Sequence, residues 1–237
     1  MRLSAVGQHR RRSAWFRPHR HLRREPHRAA HLLTRGLAGL IVLGILVMVG
    51  VLAVAEDRRT PARLASAEVD ARIASRAVDP APLSEAEVFP AGSAAFGVTQ
   101  SSLTADCALA ASGALRTTLL RYGCSQAVRA VLTVPYADYR ITAGVLNLPD
   151  AAGATAVGDE IRVLVETDDG GFADITGAAT GPGTPVLWRT RGHYVLYCVI
   201  TGPDGGLVPA DAPQVARVTR ELLDAHLYDN VLVRRAG

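Results

Sequence analysis

The chain has 237 residues, enough for one domain of ordinary size with flanking segments, and 49% of them are hydrophobic, which excludes a chain disordered throughout. Its net charge of +4 conceals two opposite regions: residues 1–35 hold ten arginines and one acid, whereas residues 36–237 hold sixteen arginines and twenty-one acids. Three cysteines, with no CxxC pair and no Cys/His cluster, are too few for a disulfide-dense miniprotein and point to no structural zinc.

Residues 1–35 read as a basic cytoplasmic tail, expected to be disordered. Arg23, Arg24, Arg28 and Arg35 stand just before a long apolar run and serve as a topology signal. Such juxtamembrane cations suit anionic lipid headgroups, at about 1 kcal/mol each near a negatively charged leaflet. No folded reader motif accompanies the charge, so no nucleic-acid partner is expected. His27 and His31 stand at i, i+4, but the surrounding arginines repel a divalent cation and no cysteine or carboxylate completes a metal site.

Gly36 to Ala55 reads GLAGLIVLGILVMVGVLAVA, twenty residues without one charged or strongly polar side chain. At ~1.5 Å per residue a helix of that length reaches the ~30 Å of a lipid bilayer's hydrocarbon core, which predicts a single transmembrane helix over 36–55. Glu56 and Asp57 follow it. The positive-inside rule then leaves the amino terminus cytoplasmic and the rest extracytoplasmic, a single-pass cell-membrane topology. Ala53-Val54-Ala55 also has the small-x-small form of a cleavage site, and cleavage after Ala55 gives instead a secreted domain. The long leader and long apolar run favour an uncleaved signal-anchor.

Residues 56–97 are rich in Ala, Arg, Glu and Pro, with Pro61, Pro80, Pro82 and Pro90 punctuating them, and read as a stalk. Leu64, Val69 and Ile73 keep no coiled-coil period. Glu85 to Phe96 is expected to lead into the folded domain as extended chain.

Residues 98–237 are expected to form the extracytoplasmic domain. Asp106 to Tyr122 predicts a helix stopped by Gly123. Cys124 to Val134 alternates Gln126, Val128, Ala130, Leu132 and Val134 against Ser125, Arg129 and Thr133, the period of a half-buried strand. A turn at Pro135–Asp138 leads to a returning strand, Tyr139 to Leu148. Asp150 then caps a helix with Ala154, Val157, Ile161 and Leu164 on one stripe. After a Gly- and Asp-rich loop, Val186–Arg191 and Tyr194–Thr201 predict a second hairpin around Gly192-His193. Asp211 and Pro213 open a last helix with Val215, Val218, Leu222 and His226 on one face. The order α-ββα-ββα predicts an α+β fold, a four-stranded mainly antiparallel sheet with helices on one face.

Gly123-Cys-Ser-Gln-Ala-Val-Arg-Ala130, followed by Gly144-Val-Leu-Asn-Leu148, resembles a group of uncharacterised actinobacterial membrane-anchored or secreted proteins. In these a Gly-Cys-Ser-Gln-x-x-Arg-Ala strand precedes a Gly-Val-x-Asn-Leu strand. The likeness covers about residues 84–237. It implies an envelope location and a cysteine pair, and no catalytic residue or ligand. Of the three pairings open to three cysteines, the resemblance favours Cys107 with Cys124. One straight helix between them would put the ends some 24 Å apart at ~1.5 Å per residue, too far for a bridge. A break at Ser112-Gly113 resolves this, leaving Cys198 buried on its strand.

No catalytic group, cofactor or metal site is assembled by spacing alone. Ser125 is followed by a strand, not by the helix of a nucleophile elbow. His193 falls at a strand turn and His226 near a helix end. The acids around Asp168 and Asp169 fail the EF-hand pattern. Trp188, Arg189, Arg191, Tyr194 and Tyr197 concentrate residue types favoured at binding hot spots and form the expected interaction surface. The reading is a single-pass cell-envelope protein whose domain is a non-enzymatic binding module for an envelope protein or other ligand. The alternatives are an envelope enzyme and a released binding domain.

Overall fold

The computed structural model describes residues 27–167, 171–177 and 180–237, and the side chains of these except at 27–36, 38 and 53–64. The chain divides between Arg58 and Arg59 into two compact units. Most of the basic tail, with Arg23 and Arg24, lies outside the described residues, as do the side chains of His27, Arg28, His31 and Arg35 and the loop acids Asp168 and Asp169.

Helix α1 covers His27–Arg72. Among the described residues no helix is long and apolar enough to cross a membrane, so the transmembrane helix expected over 36–55 is not found. The apolar run Gly39 to Leu52 belongs to α1. Its large side chains, Leu40 to Leu52, are exposed all round.

In the second unit five strands, not four, form one antiparallel sheet in the order β1-β2-β3-β5-β4. They are β1 Gly97–Thr104, β2 Gln126–Val134, β3 Ala137–Asn147, β4 Val186–Arg191 and β5 Tyr194–Thr201. The remaining helices are α2 Glu85–Val88, α3 Gly113–Arg121, α4 Ala151–Thr167, α5 Pro213–Val218 and α6 Val233–Ala236, and a wider π-helical stretch, Thr219–Leu232, joins the last two. The α+β class stands, but the extra strand is β1. Its sequence GVTQSSLT has no apolar alternation because it is an edge strand, paired among the described residues with β2 alone and bulged between Val98 and Gln100.

Helices cover both faces of the sheet, where one covered face was expected. Val128, Ala130 and Leu132 of β2, Ile141, Ala143 and Val145 of β3 and Leu196, Cys198 and Ile200 of β5 pack with Val215, Val218, Leu222 and Leu227 of the C-terminal helix. The alternate residues Ala127, Leu146, Val195, Tyr197 and Val199 pack with Leu115 and Leu119 of α3 and Ala154, Val157, Ile161 and Leu164 of α4. Each such side chain withdrawn from water contributes about 1.5–3 kcal/mol, so a sheet with apolar residues on both faces demands cover on both. Asp150 caps α4 as expected, its Oδ1 accepting from Gly153 N at 2.8 Å.

Residues 59–97 do not form a stalk separate from the domain. Ile73, Leu83, Val88, Phe89 and Phe96 are buried in the core beside the C-terminal helix. Ser84 and Glu87 close a capping box around α2, where extended chain was expected. The helix expected over 106–122 is two pieces, a 3-10 turn Cys107–Ala110 and α3, broken at Ala111-Ser112. That break folds the first piece back, and the Cys107–Cys124 disulfide closes with a Cα separation of 5.9 Å. Cys198 stays a buried thiol, pushed up to about 12 by burial.

Two consequences for stability are measurable by urea unfolding. At Gly192, where φ is +51°, an added Cβ would stand 2.0 Å from the Ile73 carbonyl oxygen, so Gly192→Ala should cost about 2–4 kcal/mol. The disulfide spans 17 residues, and the Cys107→Ser/Cys124→Ser double variant should lose about 3 kcal/mol. An unchanged midpoint in either variant would contradict the corresponding contact.

Candidate binding site at the polar end of the sheet

Where β2 and β5 begin and β3 ends, the register sets Gln126, Asn147 and Tyr194 in one row. All three face the C-terminal helix, and all are buried: Gln126 is 9% exposed, Asn147 4% and Tyr194 fully enclosed. A row of polar groups below a covering layer must find partners there or remain unsatisfied.

The cover is the segment from Ile73 to Leu83. The Ile73 carbonyl accepts from His193 N at 2.8 Å and from His193 Nδ1 at 2.7 Å. A carbonyl only accepts, so Nδ1 carries the proton and Nε2 presents a lone pair. At the other end the Gln126 carboxamide imitates a strand pairing, accepting from Leu83 N at 2.9 Å and donating to Leu83 O at 2.8 Å. Between them Tyr194 Oη donates to Asp79 Oδ2 at 2.7 Å, and the His193 ring lies 3.9 Å from that of Tyr194.

Arg235 completes the cluster from the C-terminal helix. It donates to both Asp79 oxygens, at 2.7 and 3.1 Å, and to Glu87 Oε1 at 2.8 Å. Burial alone would raise the Asp79 carboxyl, but hydrogen bonds from Arg235 and Tyr194, with the Arg235 charge, hold it below the usual carboxylate range. Burial pushes His193 below the ordinary imidazole value, against the bond to Ile73 and the nearby Asp79. The Arg235 and Arg76 charges act with burial.

Two buried atoms of this cluster have no hydrogen-bond partner, Asn147 Oδ1 and His193 Nε2. Asn147 lines a cavity of about 190 Å³ shared with Arg76, Pro80, Pro82, Leu103, Ser125 and Gln126. Arg76 reaches Gly123 O through Nη2 at 3.0 Å, and Leu103, 43% exposed, stands on the rim. A larger cavity of about 310 Å³ lies between α2 and the C-terminal helix; of its charged groups Glu87 and Arg235 are bonded to each other and Arg234 is exposed. A third, of about 210 Å³, is lined by Thr180, Thr184 and Thr201, whose hydroxyls all donate to main-chain carbonyls. The 190 Å³ cavity is therefore the best candidate binding site, since it alone of the three is lined by a residue, Asn147, that carries an orphaned buried side-chain atom.

The five aromatic and arginine residues expected to share a surface are separated. Tyr194 and Tyr197 are three apart on one strand, so they face opposite sides, and both are fully buried. Tyr197 stacks on Phe172 at 4.1 Å, while Trp188 lies half-buried beside α4. Arg189 pairs with Asp224 at 3.1 Å. Arg191 sits 3.7 Å from Asp70 and 4.6 Å over the Tyr228 ring. His226 Nε2 donates to Val88 O at 2.7 Å and meets Phe96 edge-on. Among the described residues no three His, Cys, Asp or Glu side chains converge as metal ligands.

Arg76, Pro80 and Pro82 escaped the sequence reading because they fall in the segment taken for a stalk. Gln126 and Asn147 carried a usable signal: each is a carboxamide in an otherwise apolar row. Comparisons of the chain with protein-family models, curated proteins and solved structures found no match.

Burial lowers His226 as well as His193, with Arg234 acting in the same direction. Below about pH 6.5 the unfolded chain therefore binds more protons than the folded one. Stability present above pH 6.5 should fall as the pH drops from there, at up to about 1.4 kcal/mol per pH unit for each histidine. Asp79 adds a second loss below about pH 3.8, its ordinary value. Urea midpoints between pH 7.5 and 5.5 check the first step, and a flat profile would refute it.

Proposed function

We propose that the chain is a membrane-associated cell-envelope protein whose second unit, residues 59–237, works outside the cytoplasm as a non-enzymatic binding module. The observation that carries the binding reading is the cavity of about 190 Å³ at the polar end of the sheet, where Arg76, Gln126 and Asn147 stand beside the exposed Leu103. Arg76 brings a guanidinium to that lining, with Nη2 on Gly123 O and further N–H donors on the same planar group.

Three features support the location. The Cys107–Cys124 disulfide suits an oxidising compartment. The ten arginines of residues 1–35 and the exposed apolar side chains of Leu40 to Leu52 suit a lipid surface. The resemblance to actinobacterial envelope proteins agrees with both.

A photo-crosslinking residue at Leu103 on the cavity rim, with one at the exposed Val163 of α4 as control, tests binding in cells. The expected result is an envelope component captured from position 103 and not from 163, with the protein in the membrane fraction and Cys107 and Cys124 protected from alkylation until reduced. Equal capture from both positions, or free thiols in intact cells, would sink the corresponding half of the reading.

A further inference from the structure

We propose that the cavity of about 210 Å³ at the opposite end of the sheet is a second site, which binds one ring of a neutral sugar. It shares no lining residue with the cavity of Arg76 and Asn147, so the two stand or fall separately.

β3 begins beside the end of β5, with Arg140 opposite Thr201 and Thr142 opposite Val199. Directly opposed residues share a side of the sheet, and Val199 packs in the core of α3 and α4. Arg140 and Thr142 therefore face that side. Asp174, Thr180 and Thr184 wall the cavity from one direction, and Gly205 and Leu207 from another. The first group is anchored: Arg129 donates to Asp174 O at 3.0 Å, and Thr180 donates to Phe172 O at 2.9 Å from both N and Oγ1. The turn before Leu207 closes on itself, Gly202 N donating to Gly206 O at 2.8 Å.

The lining offers donors and acceptors of different kinds. Thr142 is 6% exposed, its hydroxyl makes no hydrogen bond with the described residues, and its oxygen is not sealed. It opens on the cavity with both a donor and an acceptor to give. Thr180, Thr184 and Thr201 have each committed their proton to a main-chain carbonyl, so their oxygens are left as acceptors. Arg140 brings N–H donors, and its guanidinium bonds to no described residue. Asp174 brings a carboxylate, whose Oδ1 accepts from Thr176 N at 2.8 Å and Oγ1 at 2.6 Å.

These groups discriminate between classes of ligand. An anion drawn to Arg140 meets the Asp174 carboxylate and three accepting hydroxyls, and a cation drawn to Asp174 meets the guanidinium. A hydrocarbon leaves the Thr142 hydroxyl without a partner. A neutral polyhydroxyl compound satisfies all of them, because each of its hydroxyls both donates and accepts. Val199 and the 66% exposed Leu207 add apolar surface for the C–H side of a sugar ring. A volume of about 210 Å³ is below the ~300–1,000 Å³ of sites for drug-sized ligands, which limits the occupant to about one ring.

The test titrates the full chain with glucose, galactose, mannose and N-acetylglucosamine, followed by ligand-observed NMR, with glycerol, inorganic phosphate and calcium as comparison probes. At least one sugar should bind with a Kd on the order of 1 mM, about tenfold or more below that of each comparison probe. Thr142→Val keeps the side chain's shape and removes its hydroxyl, and should weaken sugar binding about tenfold with the urea midpoint kept or raised. Arg140→Met, at an exposed position, should weaken it similarly and serves if Thr142→Val fails to fold. Leu103→Glu at the other cavity should leave sugar binding unchanged.

No sugar binding overturns the proposal, as does wild-type sugar affinity in Arg140→Met or in a folded Thr142→Val. Phosphate or calcium bound more tightly than every sugar overturns the assignment to a neutral sugar. Sugar binding lost in Leu103→Glu puts the ligand in the wrong cavity and also refutes it. Sugar binding with the expected variant pattern, but no capture from position 103, leaves this site standing and sinks the binding reading of the other cavity.

Discussion

The Ile73 carbonyl oxygen is the point on which the polar end of the sheet depends. It receives two N–H groups of His193, the main-chain one and Nδ1–H. The approach is possible because Gly192 has no side chain, since a Cβ there would overlap that oxygen. From this contact the rest follows in order. The His193 tautomer is fixed, and α1 hands over to a segment that crosses the ends of the strands. Arg76, Asp79 and Leu83 come to lie above Gln126, Asn147 and Tyr194. The cavity is the space this strap leaves beside β1.

A hydrogen-bonded strap does not hold a sheet face closed by itself, because each exchange of a water bond for a protein bond contributes only about 0.5–1.5 kcal/mol. The apolar residues beside it close the layer: Ile73, Leu83 and Val88 are buried with the C-terminal helix in one core. Arg235 ties the two parts together, with both its side chain and that of Asp79 about nine-tenths withdrawn from water. Desolvating such a pair offsets much of its attraction, so its contribution is to fix position more than to add stability. Here it pins the last turn of the C-terminal helix to the strap and, through Tyr194, to the sheet.

The sequence made local patterns legible and left tertiary ones obscure. The cap and stripe of α4, the start and stripe of the last helix and both hairpins follow from periodicity, Pro and Gly within a few residues, whereas the break before α3 followed from the cysteine pair that the resemblance implied. β1 did not, because an edge strand carries no apolar alternation to read. Residues 59–97 looked like a stalk because Ile73, Leu83, Val88 and Phe96 are spaced without a period. They are buried by distant partners, a fact that no window of the sequence contains. The five hot-spot residues do not share one face, for a reason that was available: a spacing of three within a strand puts Tyr194 and Tyr197 on opposite sides. The apolar run of 36–55 read as a membrane span on length and composition, and among the described residues no helix is both long and apolar enough to cross a membrane.

Orphaned buried atoms are not all equivalent, and the difference decides where a ligand is to be sought. Arg129 Nε and Tyr197 Oη are also buried without partners. Arg129 nevertheless holds Leu109 O and Asp174 O through Nη1, each at 3.0 Å, and so fastens the 3-10 turn and the following loop to the sheet. Tyr197 lies across Gly144, where an added Cβ would meet its ring at 2.6 Å, and stacks on Phe172. Both side chains have packing or anchoring roles that account for their positions, and neither lines any of the three cavities described. The Asn147 side chain has no hydrogen bond to another segment among the described residues to account for it, and an apolar residue of similar size in its place would remove a desolvation penalty. Among these side chains it is the one that belongs to a residue lining a cavity, beside Arg76 and at the end of β3.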